Sequence, residues 1–476
     1  MGTAYGRRAI GLSIAAAVGG FLFGFDSSVI NGAVDSIAET YETSSVLTGF
    51  VVAVALLGCA AGAMAAGALS DHWGRRRVMM LGAAMFFVSS IGTALVPAGS
   101  VGVGVGILIF WRIVSGLGIG IASVVAPAYI AEIAPRQIRG SLASLQQLAI
   151  TLGIFAALLS DALLATSAGG ASETLWWGLE AWRWMFLVGV IPSAVYGILA
   201  FTVPESPRYL LAKGRTEQAR EIFARLVPAE DLDRTVNDLQ RIMDEDRRNA
   251  GASLRGKALG LQPIVWVGII LSVFQQFVGI NVIFYYSTTL WKAVGFDESD
   301  SLLISVITSV TNVVMTLVAI WLVDRVGRKP ILLTGSALMT LSLGTMALSF
   351  AFAQTVDGEV TLPGAWRPVA LIAANLFVVG FAASWGPLVW VLLGEIFPSR
   401  IRGKALGVAA GAQWVANFLI TVTFPAMSSW SLPLTYGMYA LFALLSLLYV
   451  AWRIPETKGS ELEETEALFD RRKATA

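Results

Sequence analysis

Charge is scarce in this chain of 476 residues: 14% are Asp, Glu, Lys or Arg, against roughly 25% in an ordinary soluble domain. With 56% of residues apolar, there is more apolar surface than a water-facing fold can hide, which excludes a soluble enzyme. Cysteine and histidine are equally sparse, at one of each. A lone Cys59 excludes a disulfide within the chain, and inside the apolar run 51–68 it reads as a small buried hydrophobe. His72 lies in a basic loop with no cysteine or second histidine nearby, so no metal is expected, and no cofactor either. The net charge of +1 is spread over short loops rather than gathered in a patch, which excludes nucleic acid as a partner.

What the chain does contain is a series of long apolar runs. A bilayer core of roughly 30 Å takes about 18 to 25 helical residues to cross, and such runs centre near residues 20, 58, 88, 115, 152, 193, 276, 313, 342, 382, 415 and 444. The expected fold is all-α and integral to a lipid bilayer. Twelve transmembrane helices form two six-helix bundles, 1–203 and 259–454, with a cytoplasmic helical linker at 204–258 and a tail at 455–476. The first run follows Arg7 and Arg8 as a signal peptide would, but its length, with Asp26 and Asn31 near its end, marks a retained helix. Basic residues such as Arg75, Arg76, Arg77, Arg139, Arg325, Arg328, Lys329, Arg402 and Lys404 fall on alternate connections, which puts those connections and both termini in the cytoplasm. The opposite connections carry Asp35, Glu39, Asp297 and Glu298, with Lys292 as a minority cation. In the linker, TEQAREIFARL spaces Ala219, Ile222, Phe223 and Leu226 along one helical face, as in a surface helix; a solvated linker is the plainer alternative.

The two halves repeat each other. GALSDHWGRRR at 67–77 echoes WLVDRVGRK at 321–329, AEIAPRQIRG at 131–140 echoes GEIFPSRIRG at 394–403, and PESPR at 204–208 returns as PETKG at 455–459. The similar offset of all three pairs, about 250 to 265 residues, marks tandem parallel repeats. In the first pair, Gly67 and Gly74 permit close helix approach, and Asp71 or Asp324 can meet arginines such as Arg75 and Arg328 or a helix N-terminus; simple topogenic charge is the alternative. Glu132 with Arg139, and Glu395 with Arg402, suit ion pairs that close a cytoplasmic gate, to which PESPR adds Glu205 and Arg208.

Within the spans, Asp26 and Arg112 stand out, because a charge at the centre of a helix costs about 2.5 to 3.5 kcal/mol on insertion scales. Asp26 lies about six residues from the outer end of helix one and Arg112 about eleven from that of helix four, so their depths differ by about two turns or less and a pair is allowed. It is either a static salt bridge or a switch in which separation leaves a desolvated carboxylate that prefers a proton. The remaining polar groups are amides and aromatics: Gln147, Gln275, Gln276, Asn281, Gln413 and Asn417, with Phe23, Tyr285, Trp390 and Trp414. That set suits a neutral polyol, since amides both donate to and accept from hydroxyls while aromatic faces pack on the C–H side of a sugar ring. Gly279 in QQFVGIN and WGP at 385–387 are expected to interrupt helices seven and ten, as where a broken helix lines a midplane site.

GFDSSVING, GALSDHWGRRR, WRIVSGLGIG, PESPRYL, QQFVGIN, VDRVGRK, GEIFPSRIRG and PETKG together resemble the sugar porter family of the major facilitator superfamily, over essentially the whole chain. GFLFGFDSSVINGAV, LSVFQQFVGIN and YYSTTLW look closest to actinobacterial glucose permeases, then to bacterial xylose–proton symporters. The resemblance implies import of a monosaccharide, most of all D-glucose, with a proton, by alternating access, through a monomer in the inner membrane of a bacterium. Xylose, galactose and myo-inositol stay open, as do a proton-independent facilitator and a sugar sensor that transports nothing. By resemblance, Asp26 marks proton-coupled members and Arg112 partners it. Gln147, Gln275, Gln276, Asn281, Trp390 and Gln413 fall on sugar hydrogen-bonding positions, and Phe23, Tyr285, Gly386, Trp414 and Asn417 line the site. The helix-ten segment SWGPLVW departs from the GPIPW of animal facilitators, which weakens any transfer of facilitator selectivity.

Overall fold

The structure, a computed structural model, describes residues 4–98, 101–133, 139–249, 253–256, 258–356, 359–398 and 401–457. The first six crossings are α1 (Ala4–Thr40), α2 (Ser45–Trp73), α3 (Arg75–Ala94), α4 (Val101–Ile133), α5 (Arg139–Ala168) and α6 (Ala181–Val188), the last continued by α7 (Val190–Thr202). The linker holds α8 (Pro207–Ala212), α9 (Thr216–Phe223) and α10 (Leu232–Asn249). Ala219 and Phe223 of α9 are buried, as is Leu226 in the turn that follows, so the predicted surface helix is there, ending at Phe223, with its apolar face covered. The second half begins with one interrupted crossing, α11 (Pro263–Phe277) and α12 (Ile280–Tyr285), followed by the short α13 (Ser287–Lys292) beyond the span. Then come α14 (Glu298–Val326), α15 (Arg328–Ala351), α16 (Trp366–Gly380) leading into α17 (Gly386–Ile396), and α18 (Arg402–Arg453). Two short antiparallel ribbons, with Arg255 opposite Leu261 and Gln354 opposite Thr361, close loops.

Eleven helical stretches among the described residues are long and apolar enough to cross a bilayer, and the last is double. α18 runs for 52 residues but breaks at Ser431, whose φ of −161° and ψ of 105° are extended. The segment SLPL explains the break. Ser431 Oγ accepts a hydrogen bond from the Leu434 amide at 3.4 Å, as an N-cap does, and Pro433 sits in the first turn of the new helix, where its missing N–H is not needed. Twelve crossings result, as expected.

The repeats of sequence are repeats of backbone. α2 turns into α3 at Gly74, with φ 92°, and α14 turns into α15 at Gly327, with φ 109°, a corner that suits a residue without Cβ. Gly67 behaves otherwise than expected: nothing lies within 4 Å of where its Cβ would be. Five residues beyond Gly62, it has rotated to another face of α2. The close approach is made instead by Gly58 and Gly62 of α2 with Gly116 and Gly120 of α4, where backbone oxygens stand 2.0 to 2.5 Å from any added Cβ.

By mutual contacts the chain divides into two compact units, one of Met1–Ser27, Val54–Ala157 and Arg183–Gly251, the other of Ser28–Ala53, Leu158–Trp182 and Ala252–Ala476. The division therefore cuts through α1, α2, α5 and the start of α6 rather than between the sequence halves. The ends of these helices on the side of the acidic loops belong with the second half.

Candidate functional site

In the first unit, Asp26 of α1 and Arg112 of α4 meet, and both are buried, at 5% and 2% exposure. Arg112 Nη1 donates to both Asp26 oxygens at 3.3 Å, and Ser115 Oγ donates to Oδ1 at 2.7 Å. Arg112 Nε is buried with no partner among the described residues. A built structural pair would be a two-pronged fork at about 2.7 to 2.9 Å; here one nitrogen is shared between two oxygens at longer range, an arrangement easily undone. Sequence reasoning missed Ser115, although its place three residues after Arg112 puts it on the same helical face. Phe23 and Gln147, both half-buried, also belong to this unit, with Phe23 one turn before Asp26 on α1.

On the basic side of each unit the repeated motifs build the same latch. In the first, Arg75 Nε and Nη2 fork onto Glu132 at 3.2 and 3.0 Å, while Nη1 reaches Asp71 and the Ser70 carbonyl, each at 3.0 Å. Glu205 Oε1 accepts the Arg75 and Arg76 amides at the start of α3, at 2.8 and 3.4 Å, and Ser206 Oγ donates to Glu132. In the second, Arg328 Nε and Nη2 fork onto Glu395 at 2.8 to 3.2 Å and Nη1 reaches the Val323 carbonyl at 2.9 Å. Glu456 accepts the Arg328 and Lys329 amides at 2.9 and 3.0 Å, and Thr457 Oγ1 donates to Glu395 at 2.6 Å. A carboxylate at a helix N-terminus meets both free amides and the positive end of the dipole.

The expected pairing of Glu395 with Arg402 needs correction, and that of Glu132 with Arg139 lies outside the described residues. Glu132 pairs with Arg75 and Glu395 with Arg328, because the fork arrives from the start of the following helix. Arg402 Nε donates instead to the Phe397 carbonyl at 3.2 Å. The side chains of Arg139 and Asp324 lie outside the described residues, and Arg208 is half-buried on α8. Glu456, Ser206 and Thr457 were missed, although the PESPR and PETKG repeat carries them.

The second unit holds the remaining amides and two broken helices. Gly279, with φ 83°, ends α11, and a widened π turn at Phe381–Trp385 precedes Pro387. Gln275 Nε2 donates to two carbonyls there, Trp385 O at the end of the turn at 2.8 Å and Gly386 O at the start of α17 at 3.1 Å. Gln275 thus ties helix seven to the break in helix ten, while its own Oε1, like Gln413 Oε1, is buried with no partner among the described residues. Asn281 Nδ2 donates to Gln276 Oε1, and Thr421 Oγ1 donates to Asn417 Oδ1 at 3.2 Å. Tyr285 is buried, Trp414 half-buried, and Trp390 is 42% exposed. Buried acceptors without a donor among the described residues are what hydroxyl groups can satisfy.

The second unit also holds a network on the acidic side that sequence reasoning missed. Asn31 of α1 donates to Thr288 Oγ1 at 3.0 Å and Ser305 Oγ at 3.3 Å, and accepts the Thr288 amide at 3.0 Å. One turn on, Asp35 accepts from Thr289 at 2.7 Å and pairs with Lys292 at 2.9 Å. Burial alone would lower the Lys292 ammonium; Asp35, with Glu298 and Glu39 behind it, outweighs burial and holds it above its ordinary value. A raised lysine contributes below its unfolded pKa and loses that contribution only as pH climbs through the folded one, so the cation persists through neutral pH.

Comparison with known proteins decides the family, since a family model described as sugar (and other) transporter matches residues 12–469. The chain belongs to this sugar transporter family. A glucose transport protein of a Synechocystis species is 50% identical to this sugar transporter over 455 residues, covering 95% of the chain and 96% of the relative. The D-xylose-proton symporter of Escherichia coli is 37% identical over 498 residues, covering 99% and 98%. Among solved structures, the xylose transporter XylE from E. coli in an inward open conformation superposes with a TM-score of 0.82 at 35% identity, covering 97% of this transporter and 99% of that chain. The same protein bound to 6-bromo-6-deoxy-D-glucose gives 0.80 at 37% identity, covering 98% and 100%. The fold is accordingly that of the major facilitator superfamily.

Proposed function

We propose that this transporter imports a monosaccharide, D-glucose foremost, together with a proton, by alternating access in a bacterial inner membrane, as a monomer with both termini cytoplasmic. The Asp26–Arg112–Ser115 cluster carries the proton half of this reading: a buried carboxylate whose counter-ion is loosely held can exchange that counter-ion for a proton. The free acceptors of Gln275 and Gln413, together with Gln276, Asn281, Asn417, Gly386, Tyr285, Trp390 and Trp414, support the sugar half, to which Phe23 and Gln147 are assigned as well. Glucose is favoured over xylose by the higher identity to the glucose transport protein. Protonation of Asp26 frees Arg112, and α1, which carries Phe23 and Asp26, changes its seat. The two latches close the cytoplasmic side and yield when the sugar leaves inward.

The test is uptake of labelled glucose by proteoliposomes, with and without an inward proton gradient and with xylose, galactose or myo-inositol as competitors. Accumulation above equilibrium that glucose competes best supports the proposal. Mere equilibration returns the facilitator, and uptake blocked better by another sugar replaces glucose.

Two substitutions probe the parts. Gln413→Leu removes an acceptor that the sugar satisfies, so glucose should bind about two- to twelvefold more weakly, the worth of a net 0.5 to 1.5 kcal/mol hydrogen bond. The sugar-free protein should melt no lower, as thermal shifts with and without glucose will show. Asn31→Ala removes three hydrogen bonds that join α1 to α13 (Thr288) and α14 (Ser305). In a Cys59→Ser background, a cysteine placed at Ser305 should then react severalfold faster with an impermeant maleimide added outside.

A further inference from the structure

A second carboxyl lies buried in the spans, and the proton pathway proposed above does not use it. Asp161 of α5 falls in the apolar run ALLSDALL and is 0% exposed. Its Oδ2 accepts a hydrogen bond from the Gly32 amide of α1 at 3.1 Å, and its Oδ1 is buried with no partner among the described residues. The contrast with Asp26, six residues before Gly32 on the same helix, is chemical. Asp26 has an arginine and a hydroxyl; Asp161 has one backbone N–H and no cation.

No other charged side chain acts on Asp161 among the described residues. The titratable groups on α1 to either side are committed elsewhere, Asp26 to Arg112 and Asp35 to Lys292, and α5 carries no other ionisable residue beyond Arg139 at its start. A single amide does not compensate a full charge removed from water, whereas a neutral carboxylic acid needs no counter-ion and its carbonyl oxygen still accepts from Gly32. We propose that Asp161 is a second proton-binding residue of this protein, carrying its proton for as long as it is sealed between α1 and α5.

The seat explains why the proton would be retained. Gly32 offers no side chain, and the Asp161 Cβ, Cγ and Oδ2 lie 2.8 Å from where a Cβ of residue 32 would stand. The carboxyl is pressed against the α1 backbone, so water reaches it only when α1 and α5 part. Release of the proton and separation of the helices are then one event.

The test is infrared spectroscopy of the purified full-length protein in the Asp26→Asn background, which silences the first carboxyl, and it needs neither sugar nor transport. Its outcome is therefore separate from that of the symport reading. At neutral pH a protonated-carboxyl C=O band that shifts in D2O is expected, and adding Asp161→Asn should remove it. The melting temperature of Asp26→Asn should fall as pH rises from neutral to alkaline, and adding Asp161→Asn should flatten that fall. A band that survives Asp161→Asn, or no band in either protein, overturns the proposal. Should Asp161→Asn fail to fold, Asp161→Glu must move the band in frequency, and an unmoved band overturns the proposal equally.

Discussion

Asp26→Asn is expected to abolish concentrative uptake while leaving sugar exchange intact. With one proton carried per sugar, an inward gradient of one pH unit supplies about 1.4 kcal/mol and supports about tenfold accumulation; the variant should stop at about onefold, the equilibrium value. The amide keeps the shape of the carboxyl and can still accept from Ser115, but it neither titrates nor balances the guanidinium. Arg112, 2% exposed and with Nε already lacking a partner among the described residues, is left as a lone buried charge, and removing one member of a buried pair costs about 3 to 5 kcal/mol. The variant should therefore melt lower than wild type yet still exchange labelled glucose across proteoliposomes, and Arg112→Leu added to Asp26→Asn should recover part of the lost stability. If Asp26→Asn accumulates sugar as wild type does, the pair is a structural salt bridge and the proton travels elsewhere.

The twelve crossings, the linker helix with Ala219 and Phe223, and the breaks at Gly279 and before Pro387 were legible in the sequence because hydropathy, helical spacing and backbone-breaking residues are local signals. Asp26 with Arg112 was legible for a related reason: charges are so rare in the spans that two at similar depth suggest a pair. Partners separated by long stretches of chain were less so. Glu132 lies beside Arg139 along the chain, yet its fork comes from Arg75, because a sharp corner at Gly74 swings that side chain toward the end of α4. Asn31 and Asp35 looked like residues of a helix end and an acidic loop. Their bonds to Thr288, Thr289 and Lys292 depend on α1 and α13 meeting, which no spacing within either segment encodes. Asp161 escaped notice because one acid does not interrupt a run as apolar as α5.

The packing of α2 on α4 makes the last large effect predictable, and it joins fold to proton coupling. A Cβ on Gly116 would stand 2.0 Å from the Ala55 carbonyl oxygen, and one on Gly120 would stand 2.1 Å from that of Cys59. Both obstacles are backbone of α2 and cannot rotate aside as a flexible side chain could. Gly116→Ala must therefore push α4 outward by more than an ångström, and Gly116→Leu is expected to yield no folded protein. Arg112 sits one turn before Gly116 on α4 and moves with it, while its bonds to Asp26 are already 3.3 Å long. Gly116→Ala should thus lose most proton-driven accumulation and lower the melting temperature, and its remaining uptake should respond little to the proton gradient. Gly67→Ala, on a face where a Cβ meets nothing within 4 Å, should leave uptake and melting unchanged. Equal behaviour of the two alanine variants would mean that the glycine contact does not set the position of Arg112, and that the pair is held by α1 alone.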